Sequence, residues 1–455
     1  MSAPAFPITP LLPEIRAALA AGTRLVLEAP PGAGKTTQVP PALRDEPWLA
    51  GRRIVMLEPR RLAARAAAEF MARQLGEEVG QTVGYRIRFE ARVSAATRIE
   101  VVTEGILTRM LQDDPELAGV GALLFDEFHE RHLQGDLGAA LALDVQATLR
   151  PDLRLVVMSA TLDGERVARW LDAPRIASPG RAFPVRVAYP PARTPEPWES
   201  HLRRAVELAL TETDGDVLVF LPGRREIARA QDVLANLDAP ALDVLPLHGE
   251  LSLAEQRAAL VPAEPGTRRV ILATNVAESS VTLPGIRAVV DSGLAREPRF
   301  DPHSGLTRLE TVTISQASAD QRAGRAGRVA PGVAYRLWPE SKRLEPARTP
   351  EIAQVELSGL ALELAAWGIS AHSSGALPWL EAPPAGALAQ ARELLQRLGA
   401  LDDAQRITAL GRAMLKLGAT PRLAAAALRA PETLRPLVAD LLALMEARSP
   451  LRGEG

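Results

Sequence analysis

Three short stretches of the sequence combine glycine, hydroxyl, carboxylate and guanidinium groups at spacings that suit chemistry on an anion. The first is Ala29-Pro30-Pro31-Gly32-Ala33-Gly34-Lys35-Thr36-Thr37, which follows an apolar run and precedes a helical pattern. Glycines let the backbone turn its N–H groups inward around a phosphate, Lys35 can reach the outer phosphate oxygens, and the Thr36 hydroxyl can ligate Mg²⁺. Pro31, Gly32, Ala33, Gly34, Lys35, Thr36 and Thr37 are therefore the candidate nucleotide-binding residues; the alternative is a plain strand-to-helix turn that contains glycine. The second stretch, Asp126-Glu127-Phe128-His129, closes the apolar run Ala122–Phe125. Adjacent carboxylates at the end of a parallel strand lie where ligands bind in open α/β sheets. One can sit in a Mg²⁺ shell while its neighbour polarises an attacking water, which makes Thr36, Asp126 and Glu127 the candidate metal group. The competing role is capping of the next helix. In the third stretch, Gln321-Arg322-Ala323-Gly324-Arg325-Ala326-Gly327-Arg328, a helix would put Gln321, Arg325 and Arg328 on one face. Two arginines and a glutamine there would neutralise charge and orient water at a transferring phosphoryl group. A solvated basic face, or a contact to a nucleic-acid backbone, is the other reading. Arg322 points elsewhere, toward a structural ion pair.

Short continuous apolar runs alternate with helical patterns over the first 340 residues: Leu25–Leu27, Ile54–Leu57, Ile99–Val102, Ala122–Phe125 and Leu155–Met158, then Val217–Leu221, Val270–Ala273, Ile286–Val290 and Val333–Leu337. Runs that do not alternate with polar residues suit strands covered on both faces, as in a parallel sheet flanked by helices. The proline-rich stretch Pro174–Pro197 reads as a linker between two such α/β domains. Beyond residue 345 the pattern becomes helical, with Val355–Trp367, Ala387–Leu398 and Ala409–Leu428, the last interrupted near Pro421. A hairpin near Ala400–Ile407 between helices fits a winged helix leading into a helical bundle.

The chain has 455 residues, 47% hydrophobic and 24% charged, which gives two to four globular domains and excludes a disordered or fibrous chain. No apolar stretch approaches the ~18–20 residues needed to span a bilayer, and no basic residue precedes an apolar core at the N-terminus. The absence of cysteine removes disulfides, thiolate metal sites and cysteine nucleophiles. The cytoplasm is the expected compartment. A formal net charge of −2 provides no global basic field, so any nucleic acid must meet a local groove. Of 53 basic residues only Lys35, Lys342 and Lys416 are lysine, and Lys35 is the one placed where a compact ammonium is needed.

Together with Glu58-Pro59-Arg60-Arg61, Thr103-Glu104-Gly105, Ser159-Ala160-Thr161, Phe220–Gly223 and Ala273-Thr274-Asn275-Val276-Ala277-Glu278, these blocks make the chain resemble the DEAH-box helicases of superfamily two. Phenylalanine replaces alanine in the box that gives the family its name, with both carboxylates and the histidine kept. The resemblance implies an α/β fold: two tandem RecA-like parallel-sheet domains (1–175 and 176–345), a winged helix (346–405) and the start of a helical bundle (406–455). It implies ATP and Mg²⁺ as ligands. Asp126 would sit in the metal shell, Glu127 would activate water, Gln321 would orient that water, and Arg325 and Arg328 would act as arginine fingers. His129, Ser159 and Thr161 would couple nucleotide state to domain movement. Arg60, Arg61, Thr103, Gly223, Thr274 and Asn275 fall in blocks that contact the nucleic-acid backbone in the family, and such contacts position a strand without reading its sequence. The segment Arg296–Ser315, with turn signals at Asp301-Pro302 and Ser304-Gly305, corresponds to a strand-separating hairpin.

The expected activity is that of an ATP-hydrolysing helicase or translocase on single-stranded RNA, with DNA as the second choice of track, no membrane and a monomeric state. An ATP-binding clamp that does not unwind is the alternative. A phosphate-loop kinase is disfavoured, because Gln321–Arg328 and Ser159–Thr161 have no required place in it. The loop-like end Ser449–Gly455 suggests a piece of a longer chain.

Overall fold

The computed structural model describes residues 6–160, 164–178, 183–237, 241–278, 281, 283–301, 305–369 and 377–446. Thr161, the turn residues Pro302 and Ser304, and the tail Ser449–Gly455 lie outside the described residues.

Eight strands form the first sheet: β1 (Arg24–Glu28), β2 (Arg53–Leu57), β3 (Val83–Ile87), β4 (Glu90–Arg92), β5 (Ile99–Val102), β6 (Val120–Phe125), β7 (Arg154–Ser159) and β8 (Arg175–Ala177). Their order is β4-β3-β5-β2-β6-β7-β1-β8, parallel except for the β3–β4 hairpin. Every residue of β6 is buried, as its unbroken Val-Gly-Ala-Leu-Leu-Phe run requires for a strand with helices on both faces. Burying each such Val, Leu or Phe adds ~1.5–3 kcal/mol, and the core of this sheet joins residues from Ile8 to Ile176.

The second sheet contains β9 (Val185–Ala188), β10 (Asp216–Phe220), β11 (Leu242–Leu247), β12 (Arg268–Ala273) and β13 (Ile286–Asp291). After a two-stranded hairpin, β14 (Leu294–Asp301) and β15 (Leu306–Thr313), it is completed by β16 (Gly332–Arg336). The order is β11-β12-β10-β13-β16-β9, all parallel. Apolar clusters cover both of its faces. The stretch Pro174–Pro197 is thus more than a linker: β8 extends the first sheet beside β1, and β9 forms an edge of the second beside β16.

Two compact units result. One holds residues 1–298 and 309–350, and therefore both sheets; the other holds 299–308 and 351–455. In the second unit the outer part of the hairpin joins the helical segment, with the Phe300 N–H donating to the Gln354 carbonyl (2.9 Å) and the Glu356 N–H donating to the Thr307 hydroxyl (3.2 Å). Its helices are Ser358–Ala366, Ala385–Arg397, Ala409–Leu417, Pro421–Arg429 and Arg435–Glu446. A single bridge pairs Leu401 with Ile407 between the second and third of them. The break before Pro421 has a local cause. Gly418 takes φ +66° just past one helix, and Pro421 opens the next, where its missing N–H costs nothing.

Candidate active site

Strand order alone gathers the reactive residues of the first sheet. β6, β7 and β1 are neighbours, so Asp126–His129, Ser159–Ala160 and the loop 29–34 leave the same carboxyl edge side by side. The Ala29 N–H donates to the Ser159 carbonyl (3.0 Å), tying two of these segments together. Gly32 and Gly34 have φ of +84° and +94°, where other residues would be strained. Gly34 also lacks room for a side chain, since a Cβ would stand 2.8 Å from Phe6 Cβ. The loop then enters the helix Lys35–Leu43, which turns its first N–H groups and the positive end of its dipole toward the loop.

Lys35 is buried, and its Nζ donates to Glu127 Oε1 (2.8 Å) with Asp126 Oδ1 at 3.8 Å. The Thr36 hydroxyl donates to Asp126 Oδ2. Burial acts to lower the Lys35 ammonium, but Glu127 and Asp126 more than offset it and hold its pKa above the usual lysine range. Burial likewise acts to raise Glu127, yet Lys35 and His129 keep it below the ordinary carboxylate value, while Asp126 is raised, chiefly by burial. Glu127 is therefore the more firmly ionised of the pair. Its backbone adopts the left-handed conformation (φ +50°), which costs a non-glycine residue ~1–2 kcal/mol. The Glu127 N–H donates to Asp126 Oδ1 (2.8 Å), and the Asp126 N–H donates to the Leu57 carbonyl (2.9 Å), so the strain is held by the chain that precedes it.

His129 connects three segments. Its Nδ1 accepts the Ala160 N–H (3.3 Å) and lies 3.4 Å from Glu127 Oε2; its Nε2 lies 3.2 Å from the Gln321 side-chain amide. The Gln321 atom that faces His129 Nε2 is its amide nitrogen. Glu127 Oε2 is left buried with no hydrogen-bond donor.

From the second sheet's side, the helix Gln316–Gly324 gives way to a tighter turn at Arg325–Gly327. The three polar residues therefore do not share one continuous helical face. Gln321 meets His129, and the Arg328 guanidinium packs over Gly32 of the phosphate loop, 3.5 Å from where a Cβ would stand. Arg325 is buried; its Nε donates to the Glu278 carbonyl (3.0 Å), Nη1 donates to the Val281 carbonyl, and Nη2 has no partner. Burial, with Arg328 nearby, drives Arg325 well below the usual arginine value, and burial pushes Arg328 down to about 10 against the pull of Glu127. Arg328 still remains cationic at neutral pH. Arg322 lies apart, donating to Glu278 (2.8 Å) and Asp291 (2.9 Å) over the Phe220 ring.

The glycine cradle, the buried Lys35 ammonium and the Arg328 guanidinium over Gly32 fit a polyphosphate, the partnerless Arg325 nitrogen offers a further donor, and the partnerless Glu127 oxygen fits a water rather than the anion. The Thr36 hydroxyl and Asp126 carboxylate fit a divalent cation that takes its remaining oxygens from phosphate and water. Among the described residues no group of three His, Cys, Asp or Glu forms a closed metal cage.

The candidate strand-contact residues fall into two sets. Thr103, Gly223 and Thr274 each stand as N-cap just after β5, β10 and β12, and none of them caps its helix through a side chain. Asn275 follows Thr274 in the same turn. Each position offers helix N–H groups of the kind that hold phosphates. Arg61 opens the helix Arg61–Gln74 and is exposed. Arg60 differs: only 18% of its side chain is exposed, and Nη2 donates to Glu130 Oε2 (2.9 Å), the oxygen that also lies 2.7 Å from His132 Nε2. Sequence reasoning gave Glu130 no part here, and nothing local signals it, because Arg60 and Glu130 meet only through the β2–β6 pairing. It likewise passed over the carboxyl of Glu58, which burial and the neighbouring Asp126 and Glu127 push well up.

Family models match two long segments of this chain: a DEAD/DEAH box helicase over residues 13–170 and a helicase conserved C-terminal domain over 200–330. The chain is 46% identical over 422 residues to the ATP-dependent RNA helicase HrpB of Escherichia coli, covering 92% of this chain and 52% of HrpB. The chain belongs to the DEAD/DEAH-box helicase family. A shorter match, to the winged-helix of the helicase associated domain HA2, covers 391–418 and brackets the Leu401–Ile407 bridge. The crystal structure of E. coli HrpB superimposes with a TM-score of 0.92 at 46% identity, over 99% of this chain and 57% of that one. The fold is therefore the helicase one, two RecA-like parallel-sheet domains followed by a winged helix. The pre-mRNA-splicing factor ATP-dependent RNA helicase prp22 of Schizosaccharomyces pombe is 37% identical over 92% of this chain and 36% of its own length. The chain thus spans about half the length of HrpB and about a third of prp22.

Proposed function

We propose that this helicase-family chain hydrolyses ATP and uses the cycle to move along a single nucleic-acid strand, RNA in preference to DNA, as a monomer. Segments 1–175 and 176–345 act as the two motor domains, and 346–405 and 406–455 as the winged helix and the helical segment after it. One observation carries the reading: His129 meets the carboxylate Glu127, the Ala160 backbone and Gln321 on the helix Gln316–Gly324 beside the second sheet. A hydrolytic group wired to a second domain lets a ligand across both domains set the rate.

In this scheme residues 31–37 wrap the phosphates, and Thr36 and Asp126 hold Mg²⁺. The bound ion supplies charge neutralisation at the phosphate oxygens. Glu127 takes the proton of the attacking water through Oε2, Gln321 keeps that water in line, and Arg325 Nη2 and Arg328 face the charge that grows on the transferring group. His129 carries the state of that charge to Ser159–Thr161. Among the described residues no helix is long and apolar enough to cross a membrane.

The strand contacts are assigned to Arg61, Thr103, Gly223, Thr274 and Asn275, with Arg60 behind them. Arg61→Ala should weaken strand binding equally across sequences and flatten its salt dependence by about one unit of slope. Arg60→Ala should act first on stability, because breaking a buried ion pair costs roughly 3–5 kcal/mol and His132 offsets only part of it. A thermal melt beside a salt titration separates the two; equal melting temperatures would return Arg60 to the role of a direct strand contact.

The decisive assay is steady-state ATP hydrolysis with single-stranded RNA, with single-stranded DNA and with neither, at one stated salt concentration. Stimulation by RNA supports the motor, and stimulation by DNA alone changes its track. Turnover that neither strand changes would favour a nucleotide-binding clamp.

A further inference from the structure

We propose that Phe128 and Trp170 form a positioning clamp that fixes Glu127 for hydrolysis, an inference that rests on the ATPase reading above. Where the family's name-motif has alanine, this chain has Phe128, whose ring reaches contacts that a methyl group cannot. It lies parallel to Trp170, with centroids 5.7 Å apart and planes at 10°, and meets Phe125 edge-on at 6.4 Å and 74°. Phe128 is buried and directly follows the left-handed Glu127. Trp170 lies on the helix Gly164–Leu171, which packs on β1, the strand that feeds the phosphate loop.

The clamp completes a closed circuit. The chain before Glu127 is fixed by β6 and by the Asp126 N–H on the Leu57 carbonyl. The chain after it is fixed by the Phe128 ring on Trp170 and by His129 on the Ala160 N–H. Two adjacent box residues thus meet Ala160 and Trp170. A left-handed glutamate persists only while its neighbours over-determine it. Without the stack, the Phe128 ring loses its face-to-face partner, and Glu127 can relax away from the water it must activate. Aromatic stacking is directional, so a flat ring at 170 should serve and an aliphatic side chain should not.

The test compares ATP hydrolysis by the 455-residue chain and its Trp170→Leu, Trp170→Phe and Phe128→Leu variants, each first checked for cooperative thermal unfolding. The leucines keep apolar character and remove the stack. Trp170→Leu and Phe128→Leu should lower kcat by about ten- to a hundredfold, the scale of a misplaced catalytic group, with KM for ATP unchanged. Trp170→Phe should restore most of the loss. Wild-type kcat in Trp170→Leu, or a loss that Trp170→Phe does not repair, would overturn the clamp and leave Trp170 as plain packing. Intrinsic fluorescence gives an arm that does not need turnover. Trp170 is one of six tryptophans, and the signal change on adding Mg·ATP should shrink in Trp170→Phe. An identical change in both proteins counts against the clamp even if the wild type proves inactive, which would separately overturn the ATPase reading.

Discussion

Glu127→Gln should bind ATP as the wild type does and hydrolyse it about 10²–10⁴-fold more slowly, the range for loss of a general base. The substitution keeps the shape of the side chain and the contact with Lys35 Nζ, now 2.8 Å from Oε1, while removing charge and basicity. Asp126, Thr36 and the phosphate loop keep their places, which is why binding should survive. The pH profile offers an independent check. Lys35 and His129 overcome burial and hold Glu127 below the ordinary carboxylate range, so it is ionised in the folded protein throughout neutral pH. A carboxylate of depressed pKa loses its proton-accepting form only as pH falls through that lowered value. Turnover should therefore show no acid limb from Glu127 between about pH 6 and 8. Nucleotide binding by fluorescence and single-turnover hydrolysis test both points, and normal turnover in the variant would move water activation to another group.

Much of this arrangement can be read from the chain because its central strands must be apolar on both faces. Ile54–Leu57, Ile99–Val102, Ala122–Phe125 and Leu155–Met158 all lie in strands of the first sheet, and the motif residues follow from where those strands end. The strands that escaped notice lie at or near sheet edges. β11 reads Leu-Asp-Val-Leu-Pro-Leu, and β9 reads Val-Arg-Val-Ala; each is an edge strand covered on fewer sides, so charge and proline are tolerated there. β8 is three residues long and takes its partner, β1, from far away in sequence, so no local pattern could announce it. The same limit applies in the site. Lys35 with Thr36 and Asp126 with Glu127 can be paired by residue type, but Arg60 with Glu130 and Phe128 with Trp170 are brought together by folding alone. The helical spacing of Gln321, Arg325 and Arg328 misleads at one point. The α-helix ends at Gly324, and the turn that follows sends Arg325 inward to two backbone carbonyls.

That difference separates the two arginines experimentally. Arg328→Ala should reduce kcat by about 10³-fold, on the scale of arginine-finger losses, and leave the melting temperature near that of wild type. Its guanidinium lies over Gly32 and makes no hydrogen bond among the described residues, so its removal leaves no acceptor unpaired. Arg325→Ala should lose rate on a similar scale and stability as well. The Glu278 and Val281 carbonyls would each lose a donor, and a buried polar group left unsatisfied costs ~1–3 kcal/mol. Lysine substitutions sharpen the contrast. Arg325→Lys cannot donate to both carbonyls and still present a third nitrogen to the nucleotide, whereas Arg328→Lys keeps a positive charge near Gly32 and should retain part of the rate. A loss of rate confined to KM in Arg328→Ala would make it a ground-state binding residue. Equal destabilisation of the two alanine variants would mean that Arg328, like Arg325, serves the fold of the second sheet before it serves the phosphate.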